Sequence, residues 1–166
     1  FENQLSVAIS AWGSKHSVKG IEMSNVQISE EEWGGSGYEK SDENGEVVYN
    51  ATESEIAGDA LTFHYLEELS NVNTFTFKYR ANEYHNGDDT ANVCFKLKDS
   101  EGNLLAFQLL NYWNCYRIVL NNTTKVEGNY PPNLADAWTE TDVWFEVKCV
   151  FAKNYARIYV DGKLMG

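Results

Sequence analysis

Along most of this chain apolar and polar residues alternate over short stretches, and the period is two. Phe75, Phe77 and Tyr79 fall on one side of a pleat while Thr74, Thr76, Lys78 and Arg80 fall on the other, which predicts a strand with one buried face. Val93, Phe95 and Leu97 repeat the pattern, the turn-rich Asp99-Ser-Glu-Gly-Asn103 follows, and Leu104 to Leu110 answers it, so residues 91–110 predict a hairpin. Further strands are predicted at Gln4 to Ser10, within Gly45 to Thr52, at Leu61 to Tyr65 and at Cys115 to Leu120. No amphipathic helix competes with them. The one helical candidate, Asn133 to Ala137, is too short to matter.

The last quarter of the chain carries the strongest pattern. Phe145, Val147, Cys149 and Phe151 share one side and Trp144, Glu146 and Lys148 the other. A two-residue turn at Lys153-Asn154 sets Phe151 opposite Ala156, Cys149 opposite Ile158 and Val147 opposite Val160, so that every apolar pair meets on one face. Asp161-Gly162 then predicts a type I′ turn, because Asp and Gly both tolerate positive φ. In all, roughly ten to thirteen regularly spaced strands with two-sided patterning imply a sandwich of two antiparallel sheets.

The run from Trp144 to Phe151, followed by Ala156-Arg-Ile-Tyr-Val-Asp-Gly-Lys-Leu164, resembles the late hairpin of laminin-G-like and concanavalin A-like jelly rolls, a group that includes many bacterial carbohydrate-binding modules. The likeness covers about residues 142–164, with a looser echo through 60–120. It implies an all-β, two-sheet jelly-roll sandwich of the concanavalin A-like lectin type. That fold hosts lectins, glycosidases and adhesion domains, so the residues must discriminate among them.

Composition narrows the choice. At 166 residues the chain forms one core, and residues 1–166 are expected to be a single module of a larger protein. Aromatic residues make up 14%, including 5 Trp and 10 Tyr, more rings than a core of this size consumes. The formal net charge of −12, with 13 Lys and Arg that never form a run, gives no source for the phosphate neutralisation that drives nucleic-acid binding. No stretch is long and apolar enough for membrane insertion as a helix. Anionic glycans are repelled by the same charge, and a neutral polysaccharide or oligosaccharide is not.

Ring-bearing polar segments supply the candidate binding residues. Trp33 and Tyr38 flank the glycines of Glu30 to Tyr38; Asn111, Trp113 and Asn114 form a second cluster; Tyr84 and Asp88 lie in a third; Asn129 to Trp138 is a fourth. A sugar presents an apolar C–H face and a rim of hydroxyls, which a flat ring beside Asn, Asp or Tyr groups complements. The polar face of the terminal hairpin, Glu146, Lys148, Arg157 and Tyr159, is a further floor for such a ligand. Trp144 reads as rim packing.

No motif implies an organic cofactor. The resemblance makes a structural calcium ion common in such folds, and Asp88 with Asp89, or Asp42, Glu43 and Glu46, offers the hard oxygen ligands it takes, without EF-hand spacing. Cys94, Cys115 and Cys149 lack metal-type spacing and allow at most one internal disulfide, and Cys149 sits on an apolar face as a small hydrophobe. His16, His64 and His85 are scattered.

Glycosidases of this fold, similar to laminarinases and lichenases, carry a Glu-x-Asp-x-Glu or Glu-x-Asp-x-x-Glu strand motif. Here Glu140, Asp142 and Glu146 are too widely spaced, since positions six apart on a strand are ~20 Å from one another, whereas a retaining pair needs ~5 Å. An inverting pair, ~6.5–9.5 Å apart, is open to carboxylates on different strands, such as Glu146 with Asp161 in the register above, but nothing in the sequence singles that pair out. The expectation is therefore a non-catalytic carbohydrate-binding module, extracellular or on the cell surface of a bacterium and covalently linked to neighbouring domains. A glycoside hydrolase and an adhesion domain are the alternatives.

Overall fold

The computed structural model describes residues 5–11, 15–24, 26–27, 33–35, 37–53, 61–65, 69–82, 92–110, 115–129 and 143–166. They form strands β1 (Leu5–Ala11), β2 (His16–Met23), β3 (Val26–Gln27), β4 (Trp33–Gly35), β5 (Tyr38–Glu43), β6 (Glu46–Ala51), β7 (Leu61–Tyr65) and β8 (Val72–Ala81). The second half adds β9 (Asn92–Asp99), β10 (Leu104–Leu110), β11 (Cys115–Leu120), β12 (Thr123–Asn129), β13 (Trp144–Ala152), β14 (Ala156–Val160) and β15 (Lys163–Leu164). One sheet has seven strands in the order β12-β11-β10-β9-β1-β7-β4; the other has eight, ordered β15-β14-β13-β8-β2-β6-β5, with β3 paired to β2. All pairings are antiparallel, and the two sheets pack as a β-sandwich, an arrangement compatible with a jelly roll.

Alternation builds this core. Phe75, Phe77 and Tyr79 of β8 are sealed from solvent, as are Phe145, Val147, Cys149 and Phe151 of β13. From the opposite sheet come Val7, Ile9, Phe95, Leu97 and Phe107. The Phe75 and Phe95 rings stack across the gap with centroids 5.4 Å apart, and Phe77 meets Phe95 at 5.7 Å, so Phe95 is held by two rings from the opposite sheet. The register of the final hairpin is the expected one: Phe151 faces Ala156, Cys149 faces Ile158 and Val147 faces Val160. Asp161 and Gly162 take φ values of 46° and 80°, as a type I′ turn requires.

Three elements escape a period-two reading. In β2 the register shifts between Lys19 and Glu22, with Gly20 at φ 63°, so Val18 and Ile21 are both buried although they lie three apart. The edge strand β5, Tyr-Glu-Lys-Ser-Asp-Glu, is almost wholly exposed and has no apolar stripe to reveal it. The third, β12, follows an Asn121-Asn122 turn with φ of 48° and 66°. Part of the expected Glu30–Tyr38 loop is likewise strand: Trp33–Gly35 pairs with β7, and Tyr38 opens β5. The helical candidate Asn133–Ala137 lies outside the described residues.

Candidate functional site

The outward face of the eight-stranded sheet is where chemistry collects. Because Phe145 and Val147 point inward, Trp144, Glu146 and Lys148 point outward, and cross-strand pairing sets Trp144 beside Arg80, Glu146 beside Lys78 and Lys148 beside both Thr76 and Tyr159. Trp144 is half-buried. The Lys19 ammonium lies 4.4 Å and the Arg80 guanidinium 4.5 Å from its ring centroid, both within cation–π range. Lys148 lies 4.8 Å from the ring of Tyr159.

Arg80 is held in place by a polar network. Its two terminal nitrogens donate to the Glu43 carboxylate at 3.4 and 3.3 Å, Nε donates to Asn82 Oδ1 at 2.9 Å, and Nη2 also reaches Ser17 Oγ at 3.4 Å. Ser17 Oγ in turn accepts from Asn82 Nδ2 and donates to Asn50 Oδ1. Fixed at both ends, the guanidinium holds its plane near Trp144 without further ordering cost. Lys19 pairs with Glu46 at 3.3 Å.

Two open depressions lie on this face. One, of about 450 Å³, is bordered by Trp144, Arg80, Lys19 and the β5–β6 turn; the other, of about 330 Å³, lies over Thr76, Lys78 and Glu146. Glu46 borders both, so they adjoin. Five of the chain's 13 basic side chains, Lys19, Lys78, Arg80, Lys148 and Arg157, lie on this surface, against the acidic Glu22, Glu43, Glu46 and Glu146. On a molecule of net charge −12 it is close to electrically balanced.

Among Trp33, Tyr38, Tyr84, Asp88, Asn111, Trp113 and Asn114, Tyr38 is the one whose side chain is described. Its ring is half-buried against the core, and its phenol lies 2.6 Å from Nε2 of the buried His16. Burial raises the phenol well above its ordinary pKa. Trp33 pairs through its backbone with Phe63. Tyr84, Asp88, Asn111, Trp113 and Asn114 lie outside the described residues, as do Asp89 and most of the Asn129–Trp138 segment. Their anchor points are adjacent, however, since Leu110 pairs with both Asn92 and Cys115, and Cys115 pairs with Asn129. Segment 111–114 thus joins two strands of the seven-stranded sheet, while 83–91 and 130–142 each have one end on the strands beside it and the other on the eight-stranded sheet.

For the carboxylates weighed as metal or catalytic groups, the contacts are specific. Asp42 Oδ1 accepts from the Gly45 amide inside the β5–β6 turn, and Glu43 and Glu46 are in the ion pairs above. Among the described residues no three His, Cys, Asp or Glu side chains are grouped to hold a metal ion. Asp161 Oδ1 accepts from the Glu146 amide at 2.8 Å while the Asp161 amide donates to the Glu146 carbonyl, so this carboxylate closes a turn. Cys115 and Cys149 are both free and buried. No protein-family model matches the chain, and neither a curated protein nor a solved structure matches it.

Alternation along β13 and β14 puts Lys148 and Tyr159 on this face, but it does not reveal Arg80 as the partner of Trp144. The signal was present in the even spacing of Lys78 and Arg80 on β8. Their match to β13 is a register between strands more than sixty residues apart, which local pattern does not encode.

Proposed function

We propose that this chain is a non-catalytic carbohydrate-binding module of the concanavalin A-like jelly-roll kind, which takes a neutral polysaccharide or oligosaccharide along the outward face of the eight-stranded sheet. The observation that carries this reading is the pair of rings, Trp144 and Tyr159, set in one polar surface with Arg80, Lys78, Lys148 and Glu146. Rings supply faces for sugar C–H groups, and the fixed ionic side chains supply donors and acceptors for hydroxyls. Trp144 and Tyr159 are four residues of strand and one strand apart, ~14 Å, so an extended chain of several sugars reaches both and a monosaccharide does not. Trp33, with Trp113, Asn111, Asn114, Tyr84 and Asp88 on the loops, extends this reading beyond the sheet floor, whereas Tyr38, its ring packed on the core and its phenol held by His16, is left to a structural role. Such a module serves an extracellular or cell-surface protein.

Isothermal titration against soluble starch, mixed-linkage β-glucan, xylan and polygalacturonate tests the reading. The native chain is expected to bind at least one neutral polymer and to bind its oligosaccharides more tightly with length. Removal of a stacking ring, as in Tyr159→Ala, Trp144→Ala or Trp113→Ala, is expected to weaken binding by ~1 kcal/mol or more, with far-UV circular dichroism unchanged. Failure of the native chain to bind any neutral polymer overturns the proposal, as does unaltered affinity in all three folded variants.

A further inference from the structure

The outward face of the eight-stranded sheet continues past Tyr159 to a third ring. Ile158 and Val160 are sealed in the core, so Arg157 and Tyr159, which alternate with them on β14, point outward. Tyr155 closes the hairpin, its carbonyl accepting from the Ala152 amide at 2.9 Å. It keeps to the same side, since the Arg157 guanidinium lies 5.2 Å from its ring centroid. Tyr159 pairs with Lys148, four residues along β13 from Trp144, and Tyr155 sits opposite Ala152, four residues further on. Trp144, Tyr159 and Tyr155 therefore form a nearly straight row ~27 Å long on two adjacent strands.

The far half of this row is open to a ligand. Val72, Tyr155 and Leu164 are 52%, 42% and 54% exposed, and they adjoin one another through Ala152, which pairs with Val72, and Tyr159, which pairs with Leu164. Apolar surface gathered in one place marks where another molecule lies. Lys19 and Arg80 are tied to Glu46 and Glu43, whereas Lys148 and Arg157 make no ion pair among the described residues and touch only the rings of Tyr159 and Tyr155. Their donors are free for sugar oxygens. Resting on the glycan reading above, the geometry points to a ligand class for this face: a straight, ribbon-like polysaccharide that lies over Trp144, Tyr159 and Tyr155 in turn, with Tyr155 as a binding residue. Sugars joined by equatorial bonds at opposite ends of the ring, as in cellulose, mannan and xylan, run straight and keep their C–H faces in line. An axial bond, as in starch, or a bond that leaves from the side of the ring, as in laminarin, turns the chain into a coil that departs from a straight row after the first ring it meets.

Isothermal titration of the full chain with cellohexaose, mannohexaose and xylohexaose as ribbons, and with maltohexaose and laminarihexaose as coils, tests the assignment. At least one ribbon is expected to bind roughly tenfold more tightly than either coil, which forgoes one or two ring contacts, and its trimer, too short to span the row, more weakly than the hexaose. Tyr155→Ala is expected to weaken that hexaose ~2–10-fold and to narrow its lead over the trimer, with far-UV circular dichroism unchanged, while Tyr155→Phe keeps most of the affinity. A coil that binds as tightly as every ribbon overturns the inference. So does an unchanged hexaose affinity in folded Tyr155→Ala when Trp144→Ala or Tyr159→Ala lowers it, and in both cases the glycan reading stands. Hexagalacturonate that binds more tightly than every neutral ribbon also overturns it, since the free cations and not the rings then choose the ligand. Binding to none of the hexaoses overturns the ligand class alone if another neutral polymer binds, and the glycan reading with it if none does. Should Tyr155→Ala not fold, the comparison of ribbons with coils on the native chain decides.

Discussion

The phenol of Tyr38 lies 2.6 Å from Nε2 of His16, and the two rings meet edge to face with centroids 5.4 Å apart. His16 opens β2 and is fully buried, with its other flank stacked on Tyr79 at 5.4 Å. Tyr38 opens the edge strand β5. Since β6 lies between these strands, the contact ties the edge of the sheet to its interior across an intervening strand. Tyr38→Phe keeps the ring and deletes the hydroxyl, so urea unfolding is expected to show a loss of ~1–3 kcal/mol, the cost of removing one partner from a buried polar pair. A stability equal to that of the native chain would show that the contact contributes nothing.

Cys149 predicts the alkaline behaviour of the fold. Burial pushes its thiol from 9.0 up to about 12, so the unfolded chain releases this proton at a lower pH than the native chain does. Stability is therefore fully retained below pH 9 and declines as pH rises toward 12, with a slope of up to ~1.4 kcal/mol per pH unit from this group. Tyr38, with its phenol raised above 10.0 by burial, steepens the decline from pH 10 upward. Urea midpoints at a series of alkaline pH values test the slope. At neutral pH a thiol reagent followed by peptide mapping is expected to label Cys149 only as fast as the chain unfolds, and prompt labelling in native buffer would contradict its burial.

Arg80 is expected to matter through its plane more than through its charge. Glu43→Gln removes a partner that is 39% exposed on its side chain and should cost less than ~1 kcal/mol, an effect that fades in molar salt. A double-mutant cycle of Arg80→Met with Trp144→Leu is expected to return a coupling of ~0.5–1 kcal/mol that persists in salt. Zero coupling would mean that the guanidinium and the indole are merely adjacent.

Two glycines separate conformational from steric demands. Gly162 sits at φ 80° with open space where a Cβ would lie, so Gly162→Ala is expected to cost ~1 kcal/mol through backbone strain alone. Gly128 has an ordinary backbone, but a Cβ there would come within 2.8 Å of the Tyr116 ring, whose hydroxyl donates to the Met165 carbonyl at 2.9 Å. Gly128→Ala is expected to displace that ring and break its hydrogen bond, at ~1–2 kcal/mol. Adding Tyr116→Phe, whose ring no longer has the bond to lose, should then cost little more.

What the amino-acid order determined alone is the set of strands whose burial follows a simple alternation, together with their hairpins. Phe75 to Tyr79, Val93 to Leu110 and Phe145 to Val160 were legible because each residue's side of the pleat follows from its neighbours two positions away, and Lys153-Asn154 and Asp161-Gly162 fix register through a short loop. β2 was hidden by its bulge at Gly20, and β5 by an edge position that leaves it no apolar face. The Asn121-Asn122 turn carried a usable signal for β12, but that strand's solvent-exposed, mostly polar residues masked it.

Only the tertiary structure decided which strands distant in sequence became neighbours, and with them the candidate sites. Arg80 meets Trp144, His16 meets Tyr38, and Leu105 and Ile118 open into the same cleft as Ala156, because sheet order and inter-sheet packing set these contacts between distant segments. Side-chain alternation states which face a residue occupies. It carries no information about what lies opposite, since that depends on the summed burial of two whole sheets.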